Sequence, residues 1–401
     1  MSFPSVDELQ KALATNVFKD SSAAKKAAGR ALGVLVELIT FYMLRDWELD
    51  DDLAIERGLP EYGNSDITHN VEFSLHPAGT THRVPVLDAT KTITARQIFL
   101  ACDKAKLDLS SAERRTTALL RKDVLRHSAT FADEADGFWI ANTTGTDPNM
   151  RITRLRTAPY AMFECKRVGI EEGQKKGPQT IEKAKQGAYV ARTVSGLQRV
   201  PRHDGSVAAV METASGSIET YDDYYSFLRA AINDGDMDKL ANVVLTVGIV
   251  SNHGNWFTSE TQNKEMRVLA QSYDWLLFLT DDGLAEFVQD VLQGDNPQLS
   301  ATRAAFAQSF GVHDNKTNFT KVTLNAQADK ELTEYFRREQ PWERWFNVIA
   351  PAPSDDLEAR KIDPETNDFE ELEDAGAGVS VYELRSSLHR LKALHAFKEN
   401  P

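Results

Sequence analysis

The chain has 401 residues, 41% hydrophobic and 26% charged, the balance of a folded, water-soluble protein large enough for a sizeable core. Its 46 Lys/Arg against 60 Asp/Glu give a net charge of −14, which argues against a protein that coats nucleic acid through overall basicity. No signal-peptide pattern opens the chain and no apolar run approaches a membrane span. The only cysteines, Cys102 and Cys165, are far apart; a disulfide scaffold and a cysteine zinc site are excluded, and the cytoplasm is the expected compartment.

A short helix is expected over Val6 to about Ala14, with Asp7 and Glu8 in its first turn, where the helix dipole favours acids. Ser21 and Ser22 open a long helix reaching about Trp47. Its centre, 32–41, is apolar almost all round and should be buried. Glu37 stands alone in that run, either a carboxylate at the core's edge or an acid aimed into a cleft. Residues 46–58 read as an acidic loop. Residues 70–75 alternate as a strand, and 82–87 form a weaker one interrupted by Pro85. From Thr94 to about His127 the pattern is helical, the second helix capped by Ser110 or Ser111, giving a helical insertion at about 94–128.

Residues 136–141 form a short apolar strand with Asp136 at its start, and 143–150 are turn-rich. Residues 160–166 are the next strand, so the two are expected to form a hairpin. Pro178 suits the start of a helix from Gln179 to about Val194, with Gln186 and Tyr189 on one face. Residues 198–218 read as loop and 222–232 as helix. The β-branched run 243–250 has the signature of a central strand, followed by a polar loop, 251–264. Residues 275–279 are another buried strand, and Asp281 or Asp282 caps the helix after it. Residues 293–350 are a mostly helical extension. From Ser354 to Gly376 there are 10 Asp/Glu against 2 Lys/Arg, an acidic linker spanning 351–378. Residues 379–401 carry a last amphipathic helix with Leu384, Leu388, Leu391 and Leu394 on one face; docking on its own core is expected ahead of a dimer contact.

The unusual stretch is the strand Tyr160-Ala-Met-Phe-Glu-Cys-Lys166. Alternation puts Ala161, Phe163 and Cys165 on one face and Tyr160, Met162, Glu164 and Lys166 on the other. A carboxylate and an ammonium at the end of an apolar strand are costly to bury without partners. A divalent cation and a phosphate are suitable partners, because phosphodiester hydrolysis needs charge neutralisation and an activated water. A second acid-x-Lys, Asp314-Asn-Lys316, lies in a polar stretch without strand character. Asp136 and Glu164 could supply hard oxygen ligands to Mg²⁺, with Lys166 assisting the water. Asp133, Glu134 and Glu72 compete with Asp136 for the role of first acid.

At these residues the chain resembles the PD-(D/E)xK nuclease superfamily, most of all type II restriction endonucleases. The order of elements follows that family's: long helix, strand, strand with Asp136, strand with Glu164 and Lys166, helix, strand. The resemblance implies an α/β fold over residues 1–292: a restriction-endonuclease-like core, a central mixed sheet flanked by helices, with helical insertions and a C-terminal helical extension. It implies Mg²⁺ as cofactor, Asp136 and Glu164 as its ligands, Lys166 as the water-assisting residue and Glu37 as a further acid. The implied activity is Mg²⁺-dependent cleavage of duplex DNA at a short specific sequence by a homodimer. The alternatives are a structure- or end-dependent repair or recombination nuclease of the same fold, and a non-catalytic DNA-binding protein.

Residues 151–203 hold 12 Lys/Arg against 4 Asp/Glu, a basic segment in an acidic chain. Arg151, Arg154, Arg156, Arg167, Lys175 and Lys176 are the candidate phosphate contacts. Gln186, Asn252 and Asn255 have the chemistry to contact DNA, and Asn and Gln side chains pair well with adenine.

Overall fold

The structure, a computed structural model, describes residues 6–396 other than 19–23, 66, 68, 69, 86–92, 116–118, 121–127, 144–148, 170–188, 205, 254–268, 312–321, 323 and 352–378. Helices α1 (Val6–Asn16) and α2 (Ala24–Asp46) lead into strands β1 (Leu53–Arg57), β2 (Val71–Leu75), β3 (Ala78–Pro85) and β4 (Ile93–Thr94). Helix α3 (Ala95–Lys104) precedes β5 (Glu113–Arg114), β6 (Leu119–Leu120), β7 (Ser128–Asp133), β8 (Gly137–Thr143), β9 (Asn149–Arg156) and β10 (Ala161–Gly169). There follow β11 (Leu197–Pro201), β12 (Val207–Glu212), β13 (Ile218–Tyr221), β14 (Leu245–His253), β15 (Trp275–Leu279) and β16 (Phe346–Ala350).

The main sheet has the order β1-β2-β10-β14-β15-β16. Its centre, β10-β14-β15, is parallel, while β1, β2 and β16 run antiparallel to their neighbours. The architecture is therefore α/β with a mixed sheet flanked by helices. Strand alternation divides its two faces. Phe163, Cys165, Val247, Ile249, Leu277 and Leu279 join the large core built around α2. Met162, Val168, Val250, Leu276 and Phe278 pack with Val190, Ala191 and Val194 of the helical segment 189–194 on the other face. Strand β10 begins at Ala161, so Tyr160 does not follow the alternation; it belongs to the α2-side core and its hydroxyl donates to Asp52.

Helix α2 is buried because it is apolar on nearly every side: Leu32, Leu35, Leu38, Ile39, Tyr42 and Met43 are all at most 1% exposed. Ala27–Asp46 is in fact long and apolar enough to cross a bilayer by length and composition, contrary to the expectation that no such run exists; here it is mostly buried inside the fold. The C-terminal helix Val381–Leu394 docks Leu384, Leu388 and Leu391 into the same core, as the leucine stripe suggested.

Several local expectations are corrected. After α3 the segment 94–128 does not form a second helix over Leu119 and Leu120, which lie in β6; β4 pairs with it, and β5 joins β7. Residues 53–57 are a strand rather than loop, and 197–221 carry three short antiparallel strands. Thr280, not Asp281 or Asp282, caps the helix after β15 by accepting the Gly283 N–H. The most consequential correction concerns the hairpin. Strand β8 pairs with β7 and β9 in a second sheet, β3-β9-β8-β7-β5, and not with β10. The acidic linker and Asp314-Asn-Lys316 lie outside the described residues.

Candidate active site

Glu164 sits mid-way along β10, flanked in register by Gly248 of β14. On its other side the β2–β10 ladder runs Ala161↔Leu75, Met162↔Ser74, Phe163↔Phe73 and stops. One step further would set Glu164 opposite Glu72. The two strands thus stop pairing where both carry a carboxylate, and antiparallel neighbours in that register share a face. Glu164 is 2% exposed and Glu72 9%.

Lys166, two residues along the same face, reaches back to Glu164, Nζ to Oε1 2.5 Å. Burial works to lower the lysine's pKa, but Glu164 and Glu72 outweigh it, and the ammonium is held above its ordinary value. Lys166 is therefore a fixed cation, not a general base. Glu164 Oε1 is engaged by the ammonium; its Oε2 is buried and accepts no hydrogen bond among the described residues. A buried anionic oxygen without a donor is expensive unless a cation meets it.

On the opposite face Cys165 packs under α2, its thiol donating to Thr40 Oγ1 at 3.4 Å. Burial pushes the thiol pKa well up, and Glu72, Glu37 and Glu164 add to the shift. The thiol stays protonated, which rules it out as a nucleophile at neutral pH. Glu37, one turn before Thr40 on α2, acts on this region only through its charge, which helps raise the Cys165 thiol; the charges acting most on Lys166 are Glu164 and Glu72.

The structure does not bring Asp136 to Glu164. Asp136 precedes β8 in the second sheet, is 76% exposed at its side chain and pairs with Arg154 at 2.6 Å. Its assignment as metal ligand rested on a β8–β10 hairpin that does not form; the acid next in register to Glu164 is Glu72 of β2. The other two competing acids are also in the second sheet: Asp133 pairs with Arg115, and Glu134 accepts from Arg154 and Trp139.

The basic flank is likewise redrawn. Arg151 pairs with Asp50 and Asp51, and Arg154 with Glu134 and Asp136, all through strand β9. Arg156 is exposed at the end of β9. Arg167 donates to the backbone carbonyls of Asn252 and Gly29, tying β10 to β14 and α2. Asn252 is fully buried and donates to both carboxylate oxygens of Asp281, so base contact is not open to it. Lys175, Lys176, Gln186 and Asn255 lie outside the described residues.

Asp281 itself is pushed up to about 6, chiefly by burial. Folding therefore favours its protonated form, a stabilisation present below about pH 4 and lost as pH rises through about 6. Asp281→Asn, which imitates the protonated acid, should gain on the parent in urea unfolding as pH rises from 4 to 7, by about 1–2 kcal/mol. A difference constant with pH would contradict this.

Two features of the donor set fit a hard divalent cation: the register that sets two carboxylates on one face, and the buried Glu164 Oε2; the Lys166 ammonium already neutralises Oε1 and works against a second cation there. Among the described residues no three His, Cys, Asp or Glu side chains converge to cage an ion by themselves. Mg²⁺ commonly takes one or two protein carboxylates and completes its shell with water and phosphate oxygens. No protein-family model, curated protein or solved structure matches the chain.

Proposed function

We propose that the protein is a metal-dependent nuclease that hydrolyses DNA phosphodiester bonds where the β2–β10 ladder ends. One observation carries the reading: Glu72, Glu164 and Lys166 share a face at the point where the β2–β10 ladder ends. Glu72 and Glu164 would hold the cation. A bound Mg²⁺ would neutralise charge on the scissile phosphate and lower the pKa of a coordinated water. Lys166 keeps its proton and holds the attacking water or a phosphate oxygen through a charged N–H. The buried β10 scaffold fixes both groups before substrate arrives, which is where electrostatic catalysis gains most.

Cleavage of duplex DNA at a specific sequence by a homodimer is the finer form of the proposal, taken from the resemblance of the Glu164–Lys166 strand and its neighbours to type II restriction endonucleases. Incubation with plasmid DNA and Mg²⁺, followed by mapping of the ends, tests it. Discrete fragments with uniform ends support a site-specific enzyme; progressive shortening from ends supports a repair or recombination nuclease; intact DNA under all metal conditions contradicts both. Asp136→Ala should cut at the parent's rate, since it loses only an exposed partner of Arg154. A loss greater than tenfold would return Asp136 to the centre.

A further inference from the structure

Lys166 and a divalent cation compete for one carboxylate. Lys166 Nζ stands 2.5 Å from Glu164 Oε1, and the two side chains differ in freedom: Glu164 is 1% exposed at its side chain and Lys166 32%. The backbone under Glu164 is held by β14, in register from Ala161↔Leu245 to Gly169↔His253. The carboxylate is therefore fixed, while the lysine's flexible four-carbon stem leaves its head free to swing toward solvent. Glu164 is the one ion-pair partner of Lys166 among the described residues. A carboxylate shared between an ammonium and a divalent cation sets like charges side by side. Even on the far oxygen, Oε2, at a metal–oxygen bond of about 2.1 Å, a cation would stand within about 7 Å of Nζ. That is inside the screening length of about 8–10 Å, and the burial of Glu164 strengthens the repulsion. A phosphate changes the balance. It offers the ammonium an anion outside the carboxylate, and its remaining oxygens suit the cation.

We infer that Lys166 is an internal counter-ion that gates the cation site: paired with Glu164 it opposes a divalent cation, and a phosphate that draws the ammonium off Oε1 opens the carboxylate, so that cation and phosphate bind cooperatively. The inference rests on the reading of Glu164 as a metal ligand. The coupling is reciprocal: the factor that phosphate adds to cation affinity, the cation adds to phosphate affinity. The first test is calorimetric titration of the full chain with Mn²⁺ in the absence of DNA. Lys166→Met and Lys166→Gln, which lose the charge, should bind Mn²⁺ about tenfold more tightly than the parent. Lys166→Arg, which keeps the charge, should not gain. Glu164→Gln added to Lys166→Met should abolish binding. The second test uses Ca²⁺ and a duplex oligonucleotide. The DNA should raise the parent's Ca²⁺ affinity by a larger factor than it raises that of Lys166→Gln, whose carboxylate is already open. Mn²⁺ affinity in both neutral variants equal to or below the parent's, or equal factors in the second test, would overturn the inference and leave the nuclease reading intact. No Mn²⁺ binding by the parent or either neutral variant, or binding that survives Glu164→Gln, would overturn the metal reading and the inference with it.

Discussion

Glu164→Ala and Lys166→Ala should each reduce Mg²⁺-dependent DNA cleavage by about 10²–10³-fold or more while DNA binding is retained. The two losses have different origins. Removing Glu164 takes away the buried Oε2 and strands the Lys166 ammonium, which is otherwise paired at 2.5 Å. Removing Lys166 leaves the carboxylate in place but deletes the ammonium paired with it. Raising Mg²⁺ should therefore recover part of the activity of a Glu164→Asp variant, whose shorter acid still ligates weakly, and none of that of Lys166→Ala. Glu72→Ala should fall with Glu164→Ala rather than with Asp136→Ala. Quantitative cleavage under single-turnover conditions, with binding measured in Ca²⁺, separates these cases. Full activity in either Glu164→Ala or Lys166→Ala is the result the assignment cannot accommodate.

The second large effect is on stability. Asp274 is 3% exposed and joins three parts of the fold. Its Oδ2 accepts from Thr246 on β14, and its Oδ1 accepts from Arg199 on β11 and from the Tyr224 hydroxyl. The Arg199 guanidinium lies 4.3 Å from the Tyr224 ring centroid and is largely buried. Asp274→Ala leaves that guanidinium without its carboxylate and the Thr246 N–H without an acceptor. Breaking a buried pair from one side costs about 3–5 kcal/mol. Urea unfolding should report a loss of that size for Asp274→Ala. The double variant with Arg199→Ala should lose less than the sum of the singles, because each residue's removal already strips the other of its partner. A loss below about 1 kcal/mol would mean that solvent reaches the pair and screens it.

What could be read from the sequence was what local pattern encodes. Helix α2 declares itself by the apolar run 32–41 inside a longer helical pattern, and β14 and β15 by β-branched and aromatic runs too short for helices. The Glu164–Lys166 face followed from alternation alone. What was not legible is pairing between distant segments. Strand β10 takes its partners from Leu75, 86 residues earlier, and Leu245, 84 residues later, and nothing in 160–166 names either. The hairpin with 136–141 was the nearest local solution, and it pointed to an acid that lies beside the second sheet, away from Glu164. Strand β9 was hidden by its arginines: Arg151, Arg154 and Arg156 read as a phosphate-binding stretch, although two of them pair with acids on β8's approach and beside β1. Strand β16 was hidden by Trp342 and Trp345, which extend the helical pattern up to its first residue. Glu72 was visible as an alternative, and only the register of β2 against β10 raised it above Asp136.

The central claim, a metal-dependent nuclease centre at Glu72, Glu164 and Lys166, is tested most directly by one cleavage measurement. The purified chain is incubated with supercoiled and linear duplex DNA in Mg²⁺ and, separately, in EDTA, beside Glu164→Ala. Cleavage in Mg²⁺ alone, absent from the EDTA reaction and from Glu164→Ala, is the predicted result. Equal cleavage by the parent and Glu164→Ala, or none by the parent on any duplex with Mg²⁺ or Mn²⁺, would contradict it.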